Sequence, residues 1–201
     1  MRTRRLARVG VATLILAAIP TVCGSGDMPA IAAAIANPTT STIRTATATR
    51  AATGAVDAAG AQPSALAKMI CAEEAQADLS SNLGVRVTVP VLPSWKDHLY
   101  SCEYRSGGGS FTLSVKELSD AAAATLYFRQ WATKLGKVPP PLRIGDEAFA
   151  AKNGSVVVRK DRKVLFVDVT KLPAAFGRPP LDRLTAAETI AITIMECWTG
   201  G

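Results

Sequence analysis

One histidine in 201 residues, four cysteines and an aromatic content of 5% remove whole classes of chemistry at the outset. With His98 the single imidazole and no C-x-x-C anywhere, no cofactor is implied and there is no ligand set for a structural zinc or an iron–sulfur centre. No phosphate loop, dinucleotide fingerprint or nucleophile elbow occurs, and the chain has no internal repeat. The apolar run at residues 9–19 is too short to span a bilayer as a folded helix. Basic residues interleaved with aromatics, as phosphate contacts and base stacking require, are also missing, so nucleic acid is excluded as a partner. The formal charge of +7 is no argument against this. Arg2, Arg4, Arg5 and Arg8 fall in the first ten residues, and residues 1–23 hold no acid. Removing them leaves 19 basic and 16 acidic side chains, a net of +3.

What is present at the N-terminus is an address. A charged stretch, MRTRRLAR, precedes the apolar run, which is hydrophobic on every face and is followed by Pro20 rather than by more helix. That is the pattern of an export signal. Cys23, trailed by Gly24-Ser25-Gly26-Asp27, resembles the cysteine of bacterial lipoprotein signals, which is diacylated and becomes the mature N-terminus. Pro20 and Val22 stand where such signals carry an aliphatic and a small residue, and the competing reading is ordinary cleavage at a small-x-small site such as Ala34-Ile35-Ala36. Residues 24–63 are mostly Ala, Thr, Ser, Pro and Gly, with no aromatic residue. They cannot bury enough apolar surface to offset their ordering entropy and read as a linker, a candidate for O-glycosylation.

Residues 64–201 read as one extracytoplasmic domain. Pro63-Ser64 is a helix start, and Leu66, Met69, Ile70 and Ala77 recur at helical spacing until Gly84. Strand patterns follow at 85–89, 98–105 and 110–117, the last two joined by Ser106-Gly107-Gly108-Gly109 as a hairpin. A second helix is expected from a Ser119 cap to Gly136, with Ala124, Tyr127, Phe128, Trp131 and Leu135 on one face. Pro139-Pro140-Pro141 separates it from further sheet, where Asn153-Gly154 signals a hairpin into strands at 155–159 and 164–169. A Pro-rich loop leads to a capping box, Thr185-Ala186-Ala187-Glu188, and a last helix with Ala187, Ile190, Ile194 and Trp198 as its core stripe. The order α-β-β-β-α-β-β-β-α predicts an α+β fold, a sandwich-like single domain with an antiparallel sheet packed against helices.

Once Cys23 is assigned to the anchor, Cys71, Cys102 and Cys197 remain, and three cannot all pair. Cys71 with Cys102 is the preferred disulfide, stabilising by roughly 3 to 4 kcal/mol in the chain-entropy model, with Cys71–Cys197 as the alternative. Cys197 otherwise reads as a buried thiol. His98 with Asp97 and Ser101 does not make a triad, because alternation sends His98 and Ser101 to opposite faces. Asp146-Glu147 after Gly145 reads as a solvated turn rather than an acid/base pair. Asp168, inside an apolar run, either emerges at the end of its strand or marks a pocket.

Cys71, Tyr100-Ser101-Cys102-Glu103-Tyr104, Gly145-Asp146-Glu147-Ala148-Phe149 and the Val-rich hairpin together resemble secreted actinobacterial lipoproteins of unknown function. More distantly they are similar to the extracellular sensor domains of actinobacterial membrane kinases. The resemblance covers about residues 64–201 and implies an α/β sandwich with a helix-to-strand disulfide and no established catalytic residues; Cys197-Trp198 is a departure from it. The expectation is a cell-envelope protein on the outer face of the membrane, held by a lipid anchor at Cys23. It would bind a small apolar ligand, an envelope component or a partner protein. A pocket for that ligand would be lined by Trp95, Tyr104, Tyr127, Trp131 and Asp168. The alternative is an envelope hydrolase or transferase using Asp168, Asp146 or Glu147.

Overall fold

Ser64 opens the first helix and ties it to the sheet. In the computed structural model, which describes residues 60–199, its hydroxyl accepts the Ala67 amide at the N-cap of α1 (Ala65–Met69). Its own amide and hydroxyl donate to the buried carboxylate of Glu117, which also meets Lys163 Nζ at 3.8 Å. The expectations for the export signal, for Cys23 and for nearly all of the linker fall outside the described residues.

The single helix expected up to Gly84 is two helices. The chain leaves helical geometry after α1, with Ala72 extended at ψ 162°, and resumes as α2 (Glu73–Leu83). The break turns the Ile70 carbonyl and Cys71 toward the sheet, where Tyr104 Oη donates to that carbonyl at 2.7 Å. Hydrophobic spacing alone does not reveal such a break, because the apolar side chains keep facing the core across it. Glu73 and Glu74 sit in the first turn of α2, where the helix dipole favours them. Gly84 ends it in the left-handed region at φ 62°.

The strand expected at 85–89 is also absent apart from one bridge, Thr88 to Arg105. Its amides are taken by side chains of α2 instead: Val87 N donates to Ser80 Oγ at 3.1 Å and Val89 N to Gln76 Oε1 at 3.0 Å. Sheet begins later, at β1 (Ser94–Lys96). It passes through a turn of Asp97 and His98, both with positive φ, into β2 (Leu99–Ser106), then around Gly107-Gly108 into β3 (Gly109–Glu117). Helix α3 (Ala121–Leu135) is capped by Asp120, whose Oδ1 accepts the Ala123 amide at 2.8 Å; Ser119, the expected cap, donates its hydroxyl to Asp120.

The proline run expected as a separator lies inside β4 (Lys137–Leu142), and this is possible because β4 is an edge strand with one side free of ladder bonds. It pairs with β5 (Glu147–Ala151), which meets β6 (Val156–Lys160) across the expected Asn153-Gly154 turn, and β7 (Lys163–Asp168) follows. The Pro-rich loop contains a small hairpin, β8 (Ala175–Phe176) with β9 (Leu181–Asp182). Helix α4 (Arg183–Thr199) starts ahead of the expected capping box, with Asp182 taking both the amide and the hydroxyl of Thr185 at 3.0 and 2.7 Å.

All seven long-sheet strands run antiparallel in the order β1-β2-β3-β7-β6-β5-β4, so the domain is α+β as expected. Strand alternation divides the buried residues between two faces. Cys102, Tyr104, Phe111, Leu113, Val115, Leu165 and Val167 face α1, α2 and α4 in the larger core. Phe149, Val157 and Val164 meet Ala124 and Phe128 of α3 in a smaller one. Because α3 packs on β5, β6 and β7, the rest of that face is polar, with Ser101 and Ser114 hydroxyls 2.9 Å apart.

Candidate functional site

The cysteines pair as preferred. Cys71, in the break between α1 and α2, is bonded to Cys102 on β2, with Cα atoms 6.1 Å apart. Cys197 is a buried thiol on α4, its Sγ 3.8 Å from Asp78 Oδ2.

The five residues expected to line a pocket are spread over four places. Tyr104 is fully buried in the larger core, stacked on Phe111 at 4.9 Å between ring centroids, and burial pushes its phenol pKa up. Tyr127 and Trp131 lie on the opposite face of the sheet, 6.2 Å apart; Trp131 stacks on Phe166 and carries Lys134 Nζ 4.6 Å from its ring centroid. Trp95 sits on edge strand β1, its indole N–H donating to the Ala61 carbonyl at 2.9 Å. Asp168 emerges at the end of β7, where Oδ1 accepts the amide and hydroxyl of Thr170 at 2.9 and 2.6 Å. Only Tyr127 and Trp131 are brought together.

The acidic candidates are placed at opposite ends of the sheet. Asp146 accepts the Asp161 amide at 2.7 Å, which with Lys160 and Arg159 holds its carboxyl below the usual range, and Glu147 pairs with Arg159. Asp168 lies at the other end of the β6–β7 hairpin, so these carboxylates do not converge on one substrate atom. His98 is in the exposed β1–β2 turn, while Ser101 Oγ is bonded to Ser114 on the sheet face. Among the described residues no group of three or more His, Cys, Asp or Glu side chains could hold a metal ion, and no helix is long and apolar enough to cross a membrane.

Among the described residues there is a concavity that no motif announces. A groove of about 610 Å³ opens where three distant segments meet: the end of α2 with Val85 and Arg86, the β2–β3 turn at Gly107 and Gly108, and the β8 loop with Phe176 and Arg178. Two glycines permit the meeting. The Arg178 amide donates to the Leu83 carbonyl at 2.8 Å, and a Cβ at Gly84 would lie 2.0 Å from the Arg178 carbonyl oxygen. A Cβ at Gly177 would likewise come within 2.8 Å of the Leu83 oxygen. Phe176 forms an apolar part of the lining and is only 5% exposed.

The groove is cationic. Arg86 and Arg178 line it, both exposed, and no acidic side chain does. Neither guanidinium has a hydrogen-bond or ion-pair partner among the described residues, whereas Arg105 is paired with Glu103, Arg159 with Asp146 and Glu147, and Arg183 with the Leu172 carbonyl. Gly84 was legible as a helix terminator, but nothing in the residue order says that Gly177-Arg178 comes to rest on it. Glu117, the buried carboxylate holding Ser64, was equally unmarked, since it reads as the last polar position of an alternating strand.

Comparison with protein-family models, with curated proteins and with solved structures finds nothing that matches this chain.

Proposed function

We propose that the chain is an exported, lipid-anchored protein of the cell envelope that binds a ligand without transforming it, and that the groove between α2, the β2–β3 turn and the β8 loop is the binding site. The groove itself carries this reading. Its volume of about 610 Å³ lies in the range of small-molecule sites, and its walls come from three segments cross-linked by backbone bonds, a geometry that stays formed without ligand. The Cys71–Cys102 disulfide is compatible with an oxidising compartment, in keeping with the N-terminal address. The carboxylates considered for catalysis are committed to ion pairs or to their own turns.

The test uses the mature protein purified from its own host, compared with Gly107→Phe. Gly107 lines the groove and a Cβ there meets nothing within 4 Å, so a ring at this position has room beside the groove. Native mass spectrometry should find a co-purifying molecule on the wild type and none on the variant. A molecule retained equally by both, or found on neither, rejects this assignment of the site.

A further inference from the structure

We infer that the ligand of this groove is an anion: a molecule whose phosphate or carboxylate group is held by Arg86 and Arg178. The inference rests on the groove being the binding site and gives that site its chemistry.

Exposed arginines are ordinary on a protein surface, so the argument depends on where these two stand. Both line one concavity, with no carboxylate on its walls to neutralise them. Low-dielectric walls focus the field of like charges into the space between them. A guanidinium offers five donors in a planar fork that matches phosphate and carboxylate oxygens, and here both forks lack a partner.

Their backbones are also fixed. Arg178 is held by the hydrogen bond its amide donates to the Leu83 carbonyl, and Arg86 precedes Val87, whose amide donates to Ser80 Oγ. Part of the entropy lost on binding is therefore already lost in the fold. The opposing influence is the C-terminal end of α2, whose dipole places about half a negative charge beside the groove. Its carbonyls are partly consumed, since Leu83 O accepts from Arg178 and Ser81 O from Gly84. Two full positive charges outweigh what remains. Gly107 and Gly108 contribute no side chain, so a ligand can lie close to the turn backbone beside the cations.

The mature full-length protein in non-ionic detergent would be titrated by calorimetry with inorganic pyrophosphate, citrate and phosphocholine, and tested for binding to phosphatidylglycerol vesicles. Arg86→Gln, Arg178→Gln and the double variant run alongside; both side chains are exposed and unpartnered, so unchanged melting temperatures are expected. Saturable binding of pyrophosphate or citrate, weakened about tenfold by each substitution and by raised salt, with none for phosphocholine, supports a soluble anion. Arginine-dependent binding to the vesicles alone supports an anionic lipid headgroup as the source. Equal binding of every probe by wild type and double variant, or binding of none, overturns the inference. If Gly107→Phe strips the co-purifying molecule while the double arginine variant keeps it, the groove stands and its anionic character falls.

Discussion

Removing the Cys71–Cys102 bond should be among the costliest small changes to this domain, and the size of the loss can be worked from the chain. The two residues are 31 apart. A loop of that length corresponds to a closure entropy of about −12 cal/mol/K, or about 3.7 kcal/mol at 25 °C. Cys71→Ala with Cys102→Ala releases that constraint in the unfolded chain. In the folded state it removes two sulfurs from a site where both residues are under 10% exposed, which adds a packing loss of the same sign. The 140 described residues imply an unfolding entropy of about 0.3 kcal/mol/K, so the melting temperature should fall by about 12 °C. Urea unfolding should show the same loss together with a larger m-value, because the uncrosslinked chain exposes more surface. A non-reduced digest should contain the Cys71–Cys102 peptide pair, with Cys197 alkylated only after denaturation. A variant within about 1 kcal/mol of wild type and with the same m-value would refute the reasoning, since no loop would then have been closed.

Further expectations concern single groups. Tyr104→Phe deprives the buried Ile70 carbonyl of its 2.7 Å partner and should cost about 1–3 kcal/mol in urea unfolding; a neutral result would remove that bond from the account of the α1–α2 break. Gly84→Ala forces a left-handed φ on a Cβ that meets the Arg178 carbonyl, and should cost about 2–3 kcal/mol, whereas Gly107→Ala, with open space around it, should stay within about 0.5 kcal/mol. Equal effects at the two glycines would contradict the packing of the β8 loop on α2. Among the described residues four carboxyls are held below their usual range: Glu103 to about 2 by Arg105 and then Lys171, Asp120 by the Ala123 amide, Asp146 by the Asp161 amide and Asp182 by Thr185. Folded-state values that are depressed contribute stability above the unfolded carboxylate range and lose it as pH falls, so urea midpoints should be level near neutrality and decline from about pH 4.5 toward pH 2. Midpoints that hold constant down to about pH 2.5 would be inconsistent with these bonds. Metabolic labelling with a fatty acid should mark the wild type and not Cys23→Ala; label that survives the substitution, or none in either, excludes the lipid anchor.

The elements that were legible are those whose pattern and local chemistry agree. Helix α3 has an apolar face, an acidic or hydroxyl cap and a terminal glycine in succession, and the β2–β3 and β5–β6 hairpins have glycine turns between alternating strands. Where sequence and structure differ, a backbone group has found a partner that no local pattern encodes. Residues 85–89 look like a strand, but Ser80 and Gln76 take the Val87 and Val89 amides; the proline run looks like a break, but its strand needs ladder bonds on one side alone. The aromatic pocket shows the same distinction more sharply. Tyr104 has the parity of Cys102 on β2, so a disulfide to the helical layer already commits that phenol to the α2 and α4 side. Tyr127 and Trp131 belong to a helix on the other face, and an uninterrupted sheet separates them. Parity made that much readable from the residues. The groove was not readable in this way, because residues 84–86, 106–108 and 173–178 lie in or beside three connections, and connections carry no periodicity from which their neighbours can be inferred. Arg86 and Arg178 are two cations among twenty-three until the Leu83 carbonyl brings the second loop onto the first. The property that distinguishes them, a shared concavity with no acidic side chain in its lining, is a fact about tertiary neighbours and has no sequence signature at all.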